Sequence, residues 1–259
     1  MSILDKIPTM SIDDMNKLRK NAVLKLDDPK SHQHACDVLD AIDKELERRY
    51  IPGMIKTFLE VYPDGFYGQK QAIEERDYKL QASQLFKALL DKDSYAQLLN
   101  EKDYPEIIKR ISQCVSSTNF IQGSFEKPIL LNTIHKNAEQ YCTALYNLIY
   151  GDEPEQQRIE SFIQKLDELS LLKWTYFSYF LFLSDTDKYM FVKPEMLKRS
   201  LELCRYPLSY ESKPSYQLYK EILKYSYWLK EKIVELSPRD MIDVHSFMWH
   251  MAPTGKFSD

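Results

Sequence analysis

Residues 171–183 read LLKWTYFSYFLFL, a run in which Lys173 is the one charged residue. A membrane-spanning helix needs about 20 apolar residues. A run of 13 that carries a lysine reads instead as a helix through a protein core. Its aromatic content extends on both sides: the chain holds 18 tyrosines, many of them between Tyr176 and Tyr227. Tyrosine can stack on nucleic-acid bases, but it more commonly fills a helical core with its hydroxyl at the rim.

Working outward, helical signals dominate. Toward the N-terminus, Ser11-Ile-Asp-Asp14 has the form of a capping box. Ile12, Met15, Leu18, Ala22 and Leu26 follow at spacings of three and four, and Asp27-Asp28-Pro29 stops the helix. Ala35, Val38, Leu39, Ile42 and Leu46 form a second stripe closing at Glu47-Arg48-Arg49, and a short third helix is expected over Pro52–Tyr62. Tyr62-Pro-Asp-Gly-Phe66 has the chemistry of a turn, with a glycine to take positive φ. Further helices are expected over Gln71–Asp91, Tyr104–Val115, Asn137–Tyr150, Glu155–Leu169 and Ser215–Leu236. Pro194 is placed in the first turn of another. Ser116–Ser124 reads as a loop and Tyr189–Val192 as a short extended piece. Ser237-Pro238-Arg239-Asp240 opens a last helix, with Ser237 as its N-cap. No repeat and no alternation long enough for a sheet occurs. The expectation is an all-α fold, an irregular multi-helix bundle of roughly nine to eleven helices with little or no sheet. It divides into an N-terminal helical segment, 1–60, and a main helical domain, 61–259.

Composition narrows the functional classes. Lys and Arg total 35 against 39 Asp and Glu, a net charge of −4, which opposes a basic nucleic-acid coat but permits a local patch. Six glycines leave little material for phosphate-cradling loops. The first residues show no secretory signal, and Cys36, Cys114, Cys142 and Cys204 lie far apart with no CxxC pair. Reduced thiols in a cytoplasmic protein are expected.

Three stretches carry candidate chemistry. His32-Gln-His34-Ala-Cys36 puts His32 and Cys36 on one helix face, but His34 points away and no matching ligand pair lies elsewhere, so a surface helix start is the ordinary reading. Glu74-Glu-Arg-Asp-Tyr-Lys79 packs five charges into six residues. It reads as a solvated helix face or, alternatively, as a buried polar network. In Arg239–Trp249, Arg239 and Asp243 form an i,i+4 pair, weak if exposed and stronger if buried. No nucleophile elbow, Walker A, HExxH or dinucleotide fingerprint occurs. No cofactor and no metal are expected.

Several stretches together resemble an uncharacterised family of bacterial proteins of unknown function. They are Pro63-Asp-Gly-Phe66, Glu75-Arg-Asp-Tyr-Lys79, Asn119 with Phe125-Glu126, Lys173-Trp174, Tyr189-Met-Phe-Val-Lys-Pro194 and Pro238-Arg-Asp-Met-Ile-Asp-Val-His-Ser-Phe-Met-Trp249. The closing stretch is the most specific. His245 stands where the pattern has Gln, and Tyr176 and its neighbours where it has smaller residues. The family is loosely associated with restriction and anti-phage loci and has no established activity. The resemblance implies that Arg76, Asp77, Lys79, Lys173, Lys193, Arg239 and Asp243 form a shared feature, either functional or architectural.

Three functions follow as expectations. The first is a non-catalytic helical adaptor that binds a protein partner in a bacterial defence or nucleic-acid-processing system. The second is a nucleic-acid-binding module using Lys173, Lys193, Lys198, Arg199 and Arg239 with aromatic neighbours. The third is an enzyme with a carboxylate-based site drawn from Asp77, Asp243 and His245, or from Arg76 and Lys79. No membrane contact is expected.

Overall fold

Trp174–Ser184 is indeed the central helix: every residue from Trp174 to Leu183 is buried. In the computed structural model, which describes residues 2–251, it is α10 of thirteen helices, and the described residues contain no strand. The others are α1 (Ile3–Lys6), α2 (Ile12–Val23), α3 (His32–Val61), α4 (69–89), α5 (Lys92–Asn100), α6 (Tyr104–Ser116), α7 (Glu126–Lys136), α8 (Ala138–Tyr150), α9 (Glu155–Glu168), α11 (Pro194–Cys204), α12 (Tyr216–Lys232) and α13 (Met241–His250). The all-α expectation holds, with more helices than the predicted nine to eleven. The additions include α5 and α7, whose apolar stripes are short. Asp91, whose carboxylate accepts from the Ser94 amide at 3.0 Å, is the capping signal for α5.

Many of the tyrosines are core residues, and several of their hydroxyls find buried acceptors. Tyr95 donates to the Cys142 carbonyl (2.9 Å), Tyr176 to that of Glu126 (2.8 Å), Tyr179 to that of Cys114 (2.7 Å) and Tyr219 to that of Met190 (3.0 Å). Burying a large ring stabilises the core, and the paired hydroxyl avoids the 1–3 kcal/mol, roughly, of an orphaned donor. Ser178 of α10 donates to the Trp174 carbonyl and accepts from the Val192 amide at 2.9 Å. This pins the extended segment 189–192 along the central helix.

Two expectations about helix ends are corrected. The helices predicted to break near Arg49 are one 30-residue helix, α3, with Pro52 inside it. Pro52 lacks the amide that would bond to Arg48. Packing carries the helix through this point. Ala35, Val38, Ile42 and Leu46 belong to a cluster with Ile7, Met15 and Ala22. Ile51, Met54, Ile55 and Phe58 belong to the larger cluster around α10. The same helix thus enters both clusters. Arg49 fastens the N-terminal pieces to it, donating to the carbonyls of Pro8 and Met10 (2.9 Å each) while paired with Glu45.

The second correction concerns α13. Ser237 does not cap it. Ser237 ends the preceding 3₁₀ turn in left-handed backbone (φ 53°). Asp240 is the N-cap, accepting from the amides of Ile242 (3.0 Å) and Asp243 (3.2 Å). A carboxylate is the stronger cap here because the same oxygens also face an arginine from another helix.

Candidate functional site

The charged stretch 74–79 lies where α4 widens into a π turn, Ala72–Arg76. A π turn inserts one residue and redirects the side chains around it. Three successive side chains here reach three different partners. Glu74 accepts from the Tyr62 hydroxyl (3.2 Å). Glu75 pairs with Lys79 one turn on and accepts from Nε2 of His250 (2.8 Å). Arg76 makes a two-pronged pair with Asp240 (2.7 and 3.0 Å) and a further bond to Asp243 (3.0 Å).

Asp243 is fully buried. Its Oδ1 accepts from Arg76 (3.0 Å) and Arg239 (3.0 Å), and its Oδ2 from the Arg239 amide (2.9 Å) and Nε (2.8 Å). A carboxylate offers about four lone-pair positions, and all four are taken. Arg239 also donates to the Phe66 carbonyl (2.6 Å), so the last helix is tied to the turn after α3. The Arg239–Asp243 pair predicted from spacing is therefore present, with its carboxylate fully buried and its guanidinium partly so. It packs by Phe66 and Tyr67; Trp249 lies elsewhere.

Lys79 is fully buried. Its ammonium donates to Glu75, to Ser246 Oγ (3.0 Å) and to His245 Nδ1 (3.4 Å). Three donors meet three acceptors. Burial pulls the Lys79 pKa below its ordinary value, against the opposing pull of Glu75. Burial would raise Glu75, but the His250 bond and the Lys79 charge outweigh it and hold the carboxyl at about 2. His245 is held well below the ordinary imidazole value by burial and by Lys79, so it is neutral. Because Nδ1 accepts, Nε2 carries the proton. That N–H has no hydrogen-bond partner and lies among the rings of Phe120, Phe182 and Phe191.

The network balances three cations, Arg76, Lys79 and Arg239, with three anions, Glu75, Asp240 and Asp243. It joins α4 to α13. Of the seven residues singled out in the sequence, it gathers four: Arg76, Lys79, Arg239 and Asp243. Asp77 is exposed on α4 and takes no part. Glu75, Asp240, His250 and Ser246 complete the set. The Asp240 role was hidden in sequence by its 164-residue separation from Arg76.

Lys173 and Lys193 lie at a second place, an open cleft of about 1100 Å³. Its walls are the 119–126 segment, Thr175 at the start of α10, residues 193–202 of α11 and Trp249 at the end of α13. Lys193 is half-buried, with its ammonium 4.6 Å from the Trp249 ring centre. Burial lowers the Lys193 pKa, with Glu126 opposing. Lys173 stands at the edge, paired with Glu126 (3.3 Å), which also accepts from Thr175. Phe125 is 73% exposed at the rim, and Ile129 one turn on is 49% exposed.

Elsewhere, His32 and Cys36 do share a face, with Sγ 3.7 Å from Nε2, and His32 Nδ1 donates to the Leu26 carbonyl (2.7 Å). Among the described residues, no three His, Cys, Asp or Glu side chains gather as metal ligands, and no helix is long and apolar enough to cross a membrane. Comparison with family models, curated proteins and solved structures gives no match, so the reading rests on the geometry of the chain itself.

Proposed function

We propose that this protein is a non-catalytic helical adaptor that docks a protein partner in the cleft bounded by Phe125, Lys193 and Trp249. The observation that carries the reading is the contrast between the two polar places. In the ion network every charged group faces an opposite charge inside the fold, and Asp243 has no lone pair left for a substrate. A charge-neutral, saturated network holds two helices in register. The cleft, by contrast, is open, and Phe125 and Ile129 form an exposed apolar rim beside it. Such rims mark protein-binding surfaces. The setting suggested by the resemblance is a bacterial defence or nucleic-acid-processing system.

The nucleic-acid reading draws some support from Lys193, Lys198 and Arg199 sharing the cleft. Against it, Lys173 pairs with Glu126, Lys198 with Glu195 and Arg239 with Asp243. Few cations are left to track phosphates, which dominate such affinity.

A photo-crosslinking residue placed at Phe125, with a second protein carrying it at exposed Val234 as control, tests the adaptor reading in source cells. A partner captured at position 125 and not at 234 is then purified and titrated. Loss of about tenfold or more in affinity for Phe125→Asp, the effect of spoiling an interface anchor, supports the reading. Unchanged affinity, or affinity for DNA or RNA in place of protein, refutes it.

A further inference from the structure

The charges lining the cleft do not cancel pair by pair. Lys198 is paired with Glu195, and Glu126 is held by Lys173 and Thr175. Lys193 is different. Among the described residues no carboxylate lies within ion-pair distance of it, and its ammonium sits half-buried over the Trp249 ring. Removing an ammonium from water without an opposite charge is costly, and a ring face recovers only part of that cost. The Lys193 environment is thus completed by one negative charge. Around it the walls are aromatic and apolar, from Phe120, Phe125, Met196 and Trp249, with the amide side chains of Asn119 and Gln122 beside them.

We propose that the cleft recognises the C-terminal aromatic residue of the partner. The free carboxylate pairs with Lys193, the ring lies against the aromatic wall, and the Asn119 and Gln122 amides face the preceding peptide groups. Charge decides between this occupant and a nucleotide. A terminal carboxylate brings one negative charge, matching that of Lys193, which no carboxylate of the described residues pairs. A nucleotide phosphate monoester brings close to two at neutral pH. Glu126, Glu195 and Glu202 line the same cleft and repel the second charge. An internal Asp or Glu would satisfy Lys193 but leave the aromatic wall unused.

The inference rests on the adaptor reading, but its test needs no partner. The isolated protein is titrated, by NMR or calorimetry, with acetyl-Gly-Gly-Phe bearing a free carboxylate, with the same peptide as its C-terminal amide, and with adenosine monophosphate. The free acid is expected to bind about tenfold or more tightly than the amide, the range for a charge-assisted hydrogen bond. Lys193→Gln should abolish that preference, Lys193→Arg should retain most of it, and Lys224→Gln, on the exposed face of α12, should leave it unchanged. Equal binding of acid and amide overturns the inference, and so does a preference that survives in Lys193→Gln. Tighter binding of adenosine monophosphate also overturns it, in favour of a nucleotide. If no peptide binds while crosslinking at Phe125 still captures a partner, the inference falls and the adaptor reading stands. The acid–amide comparison requires no variant, so a folding defect at Lys193 would not obscure the result.

Discussion

Replacing Asp243 by Asn tests whether the ion network is architecture. The substitution keeps the shape of the side chain and removes its charge. Four hydrogen bonds are affected, two from the Arg239 side chain, one from its amide and one from Arg76. Arg76 keeps its two-pronged pair with Asp240. Arg239 keeps the Phe66 carbonyl and loses the one carboxylate that pairs with it among the described residues. The amide nitrogen of Asn would also face an arginine donor. Breaking one partner out of a buried pair costs about 3–5 kcal/mol. The Arg239 side chain is 31% exposed, so water recovers part of its share. The expected destabilisation is therefore at the lower end, about 3 kcal/mol. For a chain of this size it corresponds to a fall in Tm of roughly 6–12 °C. Urea unfolding followed by circular dichroism and tryptophan fluorescence measures it directly. A double-mutant cycle with Arg239→Ala separates the pair energy from the cost of the stranded arginine. A loss below about 1 kcal/mol, the level of a surface pair, would refute the buried-network reading. So would strict additivity in the cycle.

Other outcomes follow from the same structure. Glu75 is held at about 2 against an ordinary value of 4.5, so its charge adds stability above pH 4.5 that is lost as pH falls toward 2. Glu75→Gln should flatten that part of the acid-unfolding curve, and an unchanged acid limb would contradict the pairing with His250 and Lys79. Gly151 ends α8 where an added Cβ would lie 2.5 Å from the Asn147 carbonyl oxygen. Gly151→Ala should cost about 1–3 kcal/mol by overpacking, whereas Gly53→Ala, in α3 with nothing within 4 Å, should gain about 0.5–1 kcal/mol. Both are read from denaturant midpoints. Pro52→Ala restores an amide opposite the Arg48 carbonyl in mid-helix, and should raise stability by up to about 3 kcal/mol. No gain in the melting temperature would refute a stability cost from the missing amide at Pro52.

Much of the helix pattern was legible because it is local. Ser11 caps α2 as its spacing predicts, Pro194 starts α11, and Gly65 takes φ +62° in the predicted turn. The stretch Glu74–Lys79 was legible only as two alternatives. Nothing within it says that a π turn aims Glu75 and Arg76 at the last helix. The break expected at Pro52 failed for a related reason. Proline chemistry is a local penalty, and packing on both sides of it, by Leu46 and by Ile55, outweighs that penalty. Lys193 shows the limit most clearly. It is one of many lysines in the sequence, and that no carboxylate of the described residues comes within ion-pair distance of it depends on where α7, α11 and α13 meet.

By itself, then, the sequence determined the helical class, most of the helix starts and the identity of the central aromatic helix. Those properties follow from periodicity and capping, which act over a few residues. The tertiary structure decided which charges are buried and which remain open. Arg76 meets Asp240 across 164 positions, and Tyr62 meets His250 across 188. The energy of a charge depends on its distance to every other charge and on the water it has lost. Neither quantity is written along the chain, and both exist only once the helices have packed.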